Sequence, residues 1–151
     1  MNQVHKTISN NHLREDFYFR KVAKQANGSV WYTQGKAVLI ATVVADTEPV
    51  DDDFLPMTVQ YIEKSYAAAK IPGGFIKRES KPSDFETLTS RIIDRSIRPI
   101  FPKGFNYPIT ITILVVSSDS NVDMQVAAIH AANAALLTSN IPINKDRKSV
   151  V

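Results

Sequence analysis

The chain has 151 residues, 44% of them hydrophobic and 22% charged, with a net charge of +3 and no cysteine. That length and balance suit one soluble domain with a single core, and the missing thiols exclude disulfides, thiolate metal sites and cysteine nucleophiles. The charge is unevenly placed. Residues 1–44 carry six basic and two acidic side chains, residues 45–63 six acidic and none basic, and residues 64–103 nine basic and four acidic. A basic segment after an acidic one suits a polyanion, although clustering of this size also occurs on ordinary surfaces.

The opening stretch, "MNQVHKTISNNHLREDFYFRKVAKQ", mixes both charge signs without an apolar run, so no secretory signal is expected. No window reaches the roughly 18 apolar residues that a membrane span needs, and the chain reads as cytoplasmic. "GSVWYTQGKAVLIATVVAD" predicts two strands turning at Thr33–Lys36, with Gly35 in the turn. The second, Ala37–Ala45, is almost continuously apolar, which predicts burial on both faces. "EPVDDDFLP" is an acidic, turn-rich connection whose aspartates lack supporting ligand spacing and read as solvated. In "MTVQYIEKSY", Met57, Val59 and Tyr61 alternate with Thr58 and Gln60, a half-buried strand.

"KIPGGFIKRES" follows. Gly73 and Gly74 let the backbone turn sharply, Phe75 offers a flat face, and Lys77 and Arg78 offer charge beside it. An aromatic beside cations suits single-stranded nucleic acid, because bases stack and phosphates need neutralising. A hairpin with a tucked phenylalanine and solvated cations fits the same residues.

"PSDFETLTSRIIDRSIRPIFP" predicts a helix with Ser83 as N-cap and Glu86 completing a capping box, ending near Arg98 before Pro99. Its periodicity places Phe85, Thr89, Ile92 and Ser96 on a buried stripe, flanked by Leu88 and Ile93. Arg91, Arg95 and Arg98 stand at i, i+4 and i+7, within about 60° of one another on a different side. They read either as a phosphate-binding face, which relieves their mutual repulsion, or as a solvated face paired with Asp94 or Asp84. "YPITITILVVSS" predicts another strand. "NVDMQVAAIHAANAALLTSN" predicts a helix packed tightly on the sheet, with His130 a core group rather than a catalyst. No Ser-His-Asp set, Walker loop or dinucleotide fingerprint is visible. The fold class is α+β or α/β.

The stretches "DFLPMTVQYIEKSYAAAKIPGGFIKRES" and "ETLTSRIIDRSIRPIFPKGF" resemble the first ribonuclease PH-like core of the bacterial polynucleotide phosphorylases, a likeness running from about Lys21 to Pro142. The resemblance implies an α+β, ribosomal protein S5 domain 2-like fold: residues 1–20 an N-terminal extension and first strand region, residues 21–142 an incomplete first core, residues 143–151 a divergent tail. It implies part of a phosphate-dependent 3′→5′ exoribonuclease that releases nucleoside diphosphates, with single-stranded RNA as partner, a homotrimeric ring, a possible RNA-degradation complex, and Mg²⁺ or Mn²⁺ in the full-length enzyme. Two alternatives stay open: a non-catalytic RNA-binding or assembly module, and a stand-alone subunit that trims transfer RNA. Phe75, Lys77 and Arg78 match the family's RNA-gripping loop, where Ile76 replaces a second aromatic and Lys77 an arginine. Arg91 matches a phosphate-binding arginine of the superfamily, and Arg95 and Arg98 share its face. The resemblance assigns catalysis and metal ligands to a second core, so no catalytic or metal residue is expected here.

Overall fold

The computed structural model describes residues 3–10, 13–51, 54–73, 79 and 81–144. Segments rich in Val, Ile, Thr and aromatic residues form six strands: β1 (Val4–Asn10), β2 (Leu13–Phe19), β3 (Gly28–Gln34), β4 (Ala37–Ala45), β5 (Met57–Glu63) and β6 (Ile109–Ser117). They make one mixed sheet in the order β1-β2-β3-β4-β6-β5. Every pairing is antiparallel except β5 with β6. That parallel pair needs a crossover, and helix α1 (Asp84–Ile97) supplies it; helix α2 (Met124–Leu137) follows β6 and packs over β3 and β4. The architecture is α+β.

Both helices lie on one face of the sheet. Val30 and Tyr32 of β3, Leu39, Ala41 and Val43 of β4, and Ile111 of β6 are buried beneath them. Fully burying one such aliphatic side chain contributes about 1.5–3 kcal/mol. On β4 this corrects the expectation of burial on both faces. Ala37, Leu39, Ala41 and Val43 are buried, whereas Val38, Ile40 and Thr42 are only half-buried and Val44 is exposed. The apolar run is continuous, but no helix among the described residues covers the second face.

Alanines at 127, 128, 131, 132 and 135 present a flat side of α2 to the sheet, so the helix backbone comes close. The approach is tightest at Gly28, where an added Cβ would stand 2.1 Å from the Ala135 carbonyl oxygen and 2.9 Å from Ser139 Cβ. His130 is half-buried, and its Nδ1 pairs with Glu15 Oε1 at 2.9 Å, tying α2 to β2. Gly35 turns β3 into β4 with φ +58, and the turn is braced where Lys36 N donates to Asp119 Oδ2 at 3.0 Å.

On α1 the capping box forms as expected: Glu86 N donates to Ser83 Oγ at 3.2 Å and Ser83 N to Glu86 Oε2 at 2.6 Å. The predicted stripe is corrected. The buried residues are Glu86, Thr89, Ile93 and Ile97, while Phe85, Leu88 and Ile92 are exposed by 46%, 56% and 40%. Ser96 is exposed as well, so of the predicted set only Thr89 and Ile93 face the core. The reason lies in β5, an edge strand with unpaired N–H groups that need acceptors. Polar side chains of α1 satisfy them, and this sets the helix's rotation against its most apolar side.

Replacing Gly28 by alanine forces a methyl into backbone that cannot yield. Overpacking of this kind costs about 1–3 kcal/mol, expected as a drop of roughly 2–12 °C in the melting temperature. Thermal unfolding followed by circular dichroism checks it.

Candidate nucleic-acid interface

Three side chains of α1 build the seam between this helix and its neighbours. Glu86 is buried, and its Oε1 accepts from Glu63 N of β5 at 2.8 Å. Ser90 Oγ accepts from Tyr61 N at 3.0 Å and donates to the Glu86 carbonyl at 2.8 Å. Thr89 Oγ1 accepts from Gln125 Nε2 of α2 at 3.2 Å. Burial pushes the Glu86 carboxyl up, but the N–H groups of Ser83 and Glu63, the Ser83 hydroxyl and the Lys64 charge outweigh it. The net direction is down, so the carboxylate stays ionised.

Beside this seam a groove of about 620 Å³ opens between β5 and the next row of α1, Thr87, Arg91, Asp94 and Arg98. Lys64 closes the end beyond β5. Its Nζ donates to the Glu79 carbonyl at 2.6 Å, and Ser65 N donates to Glu79 Oε1 at 2.8 Å. The residue that leaves the expected RNA loop is thereby held beside Lys64 and Ser65. Phe75, Lys77 and Arg78 themselves lie outside the described residues, as do Asp52 and Asp53 of the acidic connection.

The three helix arginines do not share one environment. Arg98 is engaged: Nη2 and Nε donate to Asp94 at 2.7 and 3.1 Å, and Nη1 to the Leu55 carbonyl at 2.7 Å. Arg91 is exposed and lines the groove, and among the described residues it meets no carboxylate within 4 Å. Arg95 is also exposed, but it does not line the groove. The groove therefore joins Arg91 and Arg98 and leaves Arg95 outside. Asp94 balances Arg98 and the ionised Glu86 offsets Lys64, so the surplus positive charge of the lining is one and rests on Arg91. Lys64 is a contributor that the sequence pattern does not single out, because the residue ending a strand has no periodic partner on the distant helix.

Among the described residues no three His, Asp or Glu side chains converge closely enough to hold a metal ion. Nor is any helix among them long and apolar enough to cross a membrane.

Residues 13–142 match the model of the 3′ exoribonuclease family, domain 1. The chain belongs to this family. It is 65% identical over 150 residues to the polyribonucleotide nucleotidyltransferase of Sulfurovum sp. (strain NBC37-1), covering 99% of this chain and 21% of the relative. It is also 65% identical over 136 residues to the enzyme of that name from Aliarcobacter butzleri (strain RM4018), covering 89% and 19%. The chain thus spans about a fifth of the length of these curated relatives. In fold it is similar to rice (Oryza sativa) Rrp46, with a TM-score of 0.65 at 20% identity over 90% of this chain and 59% of that one. A second likeness is to an Archaeoglobus fulgidus exosome with RNA bound to the active site, TM-score 0.64 at 18% identity over 91% and 54%. The fold is ribonuclease PH-like.

Two outcomes follow for this exoribonuclease-family domain. Arg98→Ala strips Asp94 and the Leu55 carbonyl of a charged donor and is expected to lower stability by about 1.5–3 kcal/mol, whereas Arg91→Ala stays within about 0.5 kcal/mol of the parent. Urea unfolding of both variants checks this. Because the Glu86 pKa is depressed on folding, its contribution is present above the unfolded carboxyl value of about 4.3 and is lost as pH falls through the folded value. Glu86→Gln should therefore narrow the stability difference between neutral pH and acid below about pH 4, read by urea titrations across pH.

Proposed function

We propose that this domain contributes RNA and phosphate binding to a phosphate-dependent 3′→5′ exoribonuclease. The observation that carries the reading is the placement of Arg91. Its guanidinium has no carboxylate partner among the described residues, it lines an open groove, and that groove ends where Lys64 and Glu79 hold the stem of the Phe75, Lys77 and Arg78 loop. A planar guanidinium matches two phosphate oxygens at once. Lys64 adds a second cation at the same end. Family membership and the names of the curated relatives support the activity.

In the proposed reaction an oxygen of inorganic phosphate attacks the phosphorus of the last RNA linkage. The bond from that phosphorus to the 3′ oxygen of the preceding nucleotide breaks, and that oxygen takes up a proton. The products are a nucleoside diphosphate and an RNA one nucleotide shorter. The attack brings anions together, so oriented cations must neutralise the developing charge. Arg91 and Lys64 do this for a phosphate or an RNA backbone in the groove, and Phe75 stacks on a base while Lys77 and Arg78 meet its phosphates. Arg98 holds the groove's shape through Asp94, and Arg95 lies on an outer path. Mg²⁺ or Mn²⁺ would supply further charge neutralisation in the full-length enzyme. The described carboxylates here do not converge into a site for it. Assembly as a homotrimer around single-stranded RNA completes the reading.

In a full-length enzyme carrying this domain, Arg91→Lys should lower phosphorolysis of a 3′-labelled RNA despite keeping the charge, because an ammonium lacks the two-pronged fork. Phe75→Ala should weaken oligoribonucleotide binding roughly 5- to 150-fold. Diphosphate release and RNA affinity unchanged in both variants would remove the reading.

A further inference from the structure

The sheet face opposite the helices carries a second constellation. His5 of β1 pairs in register with Tyr18 of β2, and Tyr18 with Trp31 of β3, so three rings stand in one row across three strands. The His5 and Tyr18 rings are stacked, with centroids 4.3 Å apart and planes within 2°. Lys21, just beyond β2, places its ammonium 4.7 Å from the Tyr18 ring centre and 4.6 Å from that of Trp31. Two aromatic faces therefore flank a single cation.

The loop that delivers Lys21 is held under backbone strain. Arg20 and Ala23 have φ of 59° and 47°, a region that non-glycine residues rarely occupy and that is common where a ligand is bound. Ser29 Oγ fastens the loop over the sheet by donating to the Val22 carbonyl at 2.7 Å. Arg20, Lys21 and Lys24 reach solvent, and among the described residues none meets a carboxylate within 4 Å. The nearby carboxylate of Asp16 is already taken by Arg14, His5 and Thr7.

We propose that this row is a second platform for single-stranded RNA, separate from the α1 groove, in which a base enters between Tyr18 and Trp31 and Lys21 swings out onto a phosphate. The chemistry selects the ligand. A flat, neutral π-system gains stacking on two faces where the ammonium held them, and the displaced cation, with Arg20 and Lys24, gains an anion. Stacked bases joined by phosphates supply both needs along one strand. A polyanion without bases supplies only the second.

Trp31 is the only tryptophan in the chain and reports on its own site. Titration of the 151-residue chain with a short oligouridylate should quench Trp31 emission, while inorganic polyphosphate of equal charge should not. Tyr18→Ala, with its fold verified by circular dichroism, should weaken this binding roughly 5- to 150-fold, and Tyr18→Phe should restore it. Replacing Lys21 and Lys24 by alanine should flatten the salt dependence by about 0.7 in log–log slope for each phosphate that is no longer neutralised. Arg91→Ala should leave the quenching untouched, which separates this platform from the α1 groove. Emission unmoved by the oligonucleotide, equal quenching by polyphosphate, quenching by an acidic peptide alone, or unchanged affinity in Tyr18→Ala would each overturn the proposal.

Discussion

The Glu86 carboxylate links the end of a helix to the edge of a sheet, and much of the domain's geometry follows from that contact. It accepts from Ser83 N within its own helix cap and from Glu63 N on β5, while Ser90 one turn later accepts from Tyr61 N. An edge strand presents unpaired donors that would recruit another chain or remain costly if buried. Here α1 satisfies two of them with side chains. Because residues 86 and 90 must face the strand, the rotation of the helix is settled. The row one position further on, Thr87, Arg91, Asp94 and Arg98, then falls beside the strand and lines the groove. Phe85, Leu88 and Ile92 fall on the exposed side.

This rotation sorts the arginines by environment. Arg98 sits one turn beyond Asp94 and within reach of the Leu55 carbonyl, so three of its N–H donors hold the segment before β5 against the helix. Arg91 occupies the same row nearer the helix start, in the groove that Lys64 also lines, where no described carboxylate reaches it. Equal charges on one helix are thereby divided into one braced by Asp94 and one exposed in the groove. The division depends on what lies across from each one, not on their spacing.

The two faces of the sheet make an analogous division. Small residues on α2 and Gly28 on β3 bring helix and sheet into close contact, leaving no room there for a ligand. The opposite face keeps its aromatic residues half-exposed, with cations supplied by the strained turn after β2. Rigidity on one side gives the other a fixed spacing of rings, which is what stacking recognition requires.

Much was legible in the sequence alone. Alternation marked β5, the turn at Gly35 marked the β3–β4 hairpin, and Ser83 with Glu86 marked the start of α1. These signals are local, arising from residues a few positions apart. The motifs after β5 and along α1 also carried the family resemblance. What the sequence did not determine is which side of an element meets which neighbour. The apolar stripe of α1 was misplaced because a buried glutamate answers donors on β5, 23 positions away. The continuous apolar run of β4 did not mean two buried faces, because both helices chose the same side. The row of His5, Tyr18 and Trp31 was invisible for a related reason: the register between neighbouring strands alone brings these three residues into one line. Local periodicity decides what an element is, and only long-range hydrogen bonding and packing decide what it faces.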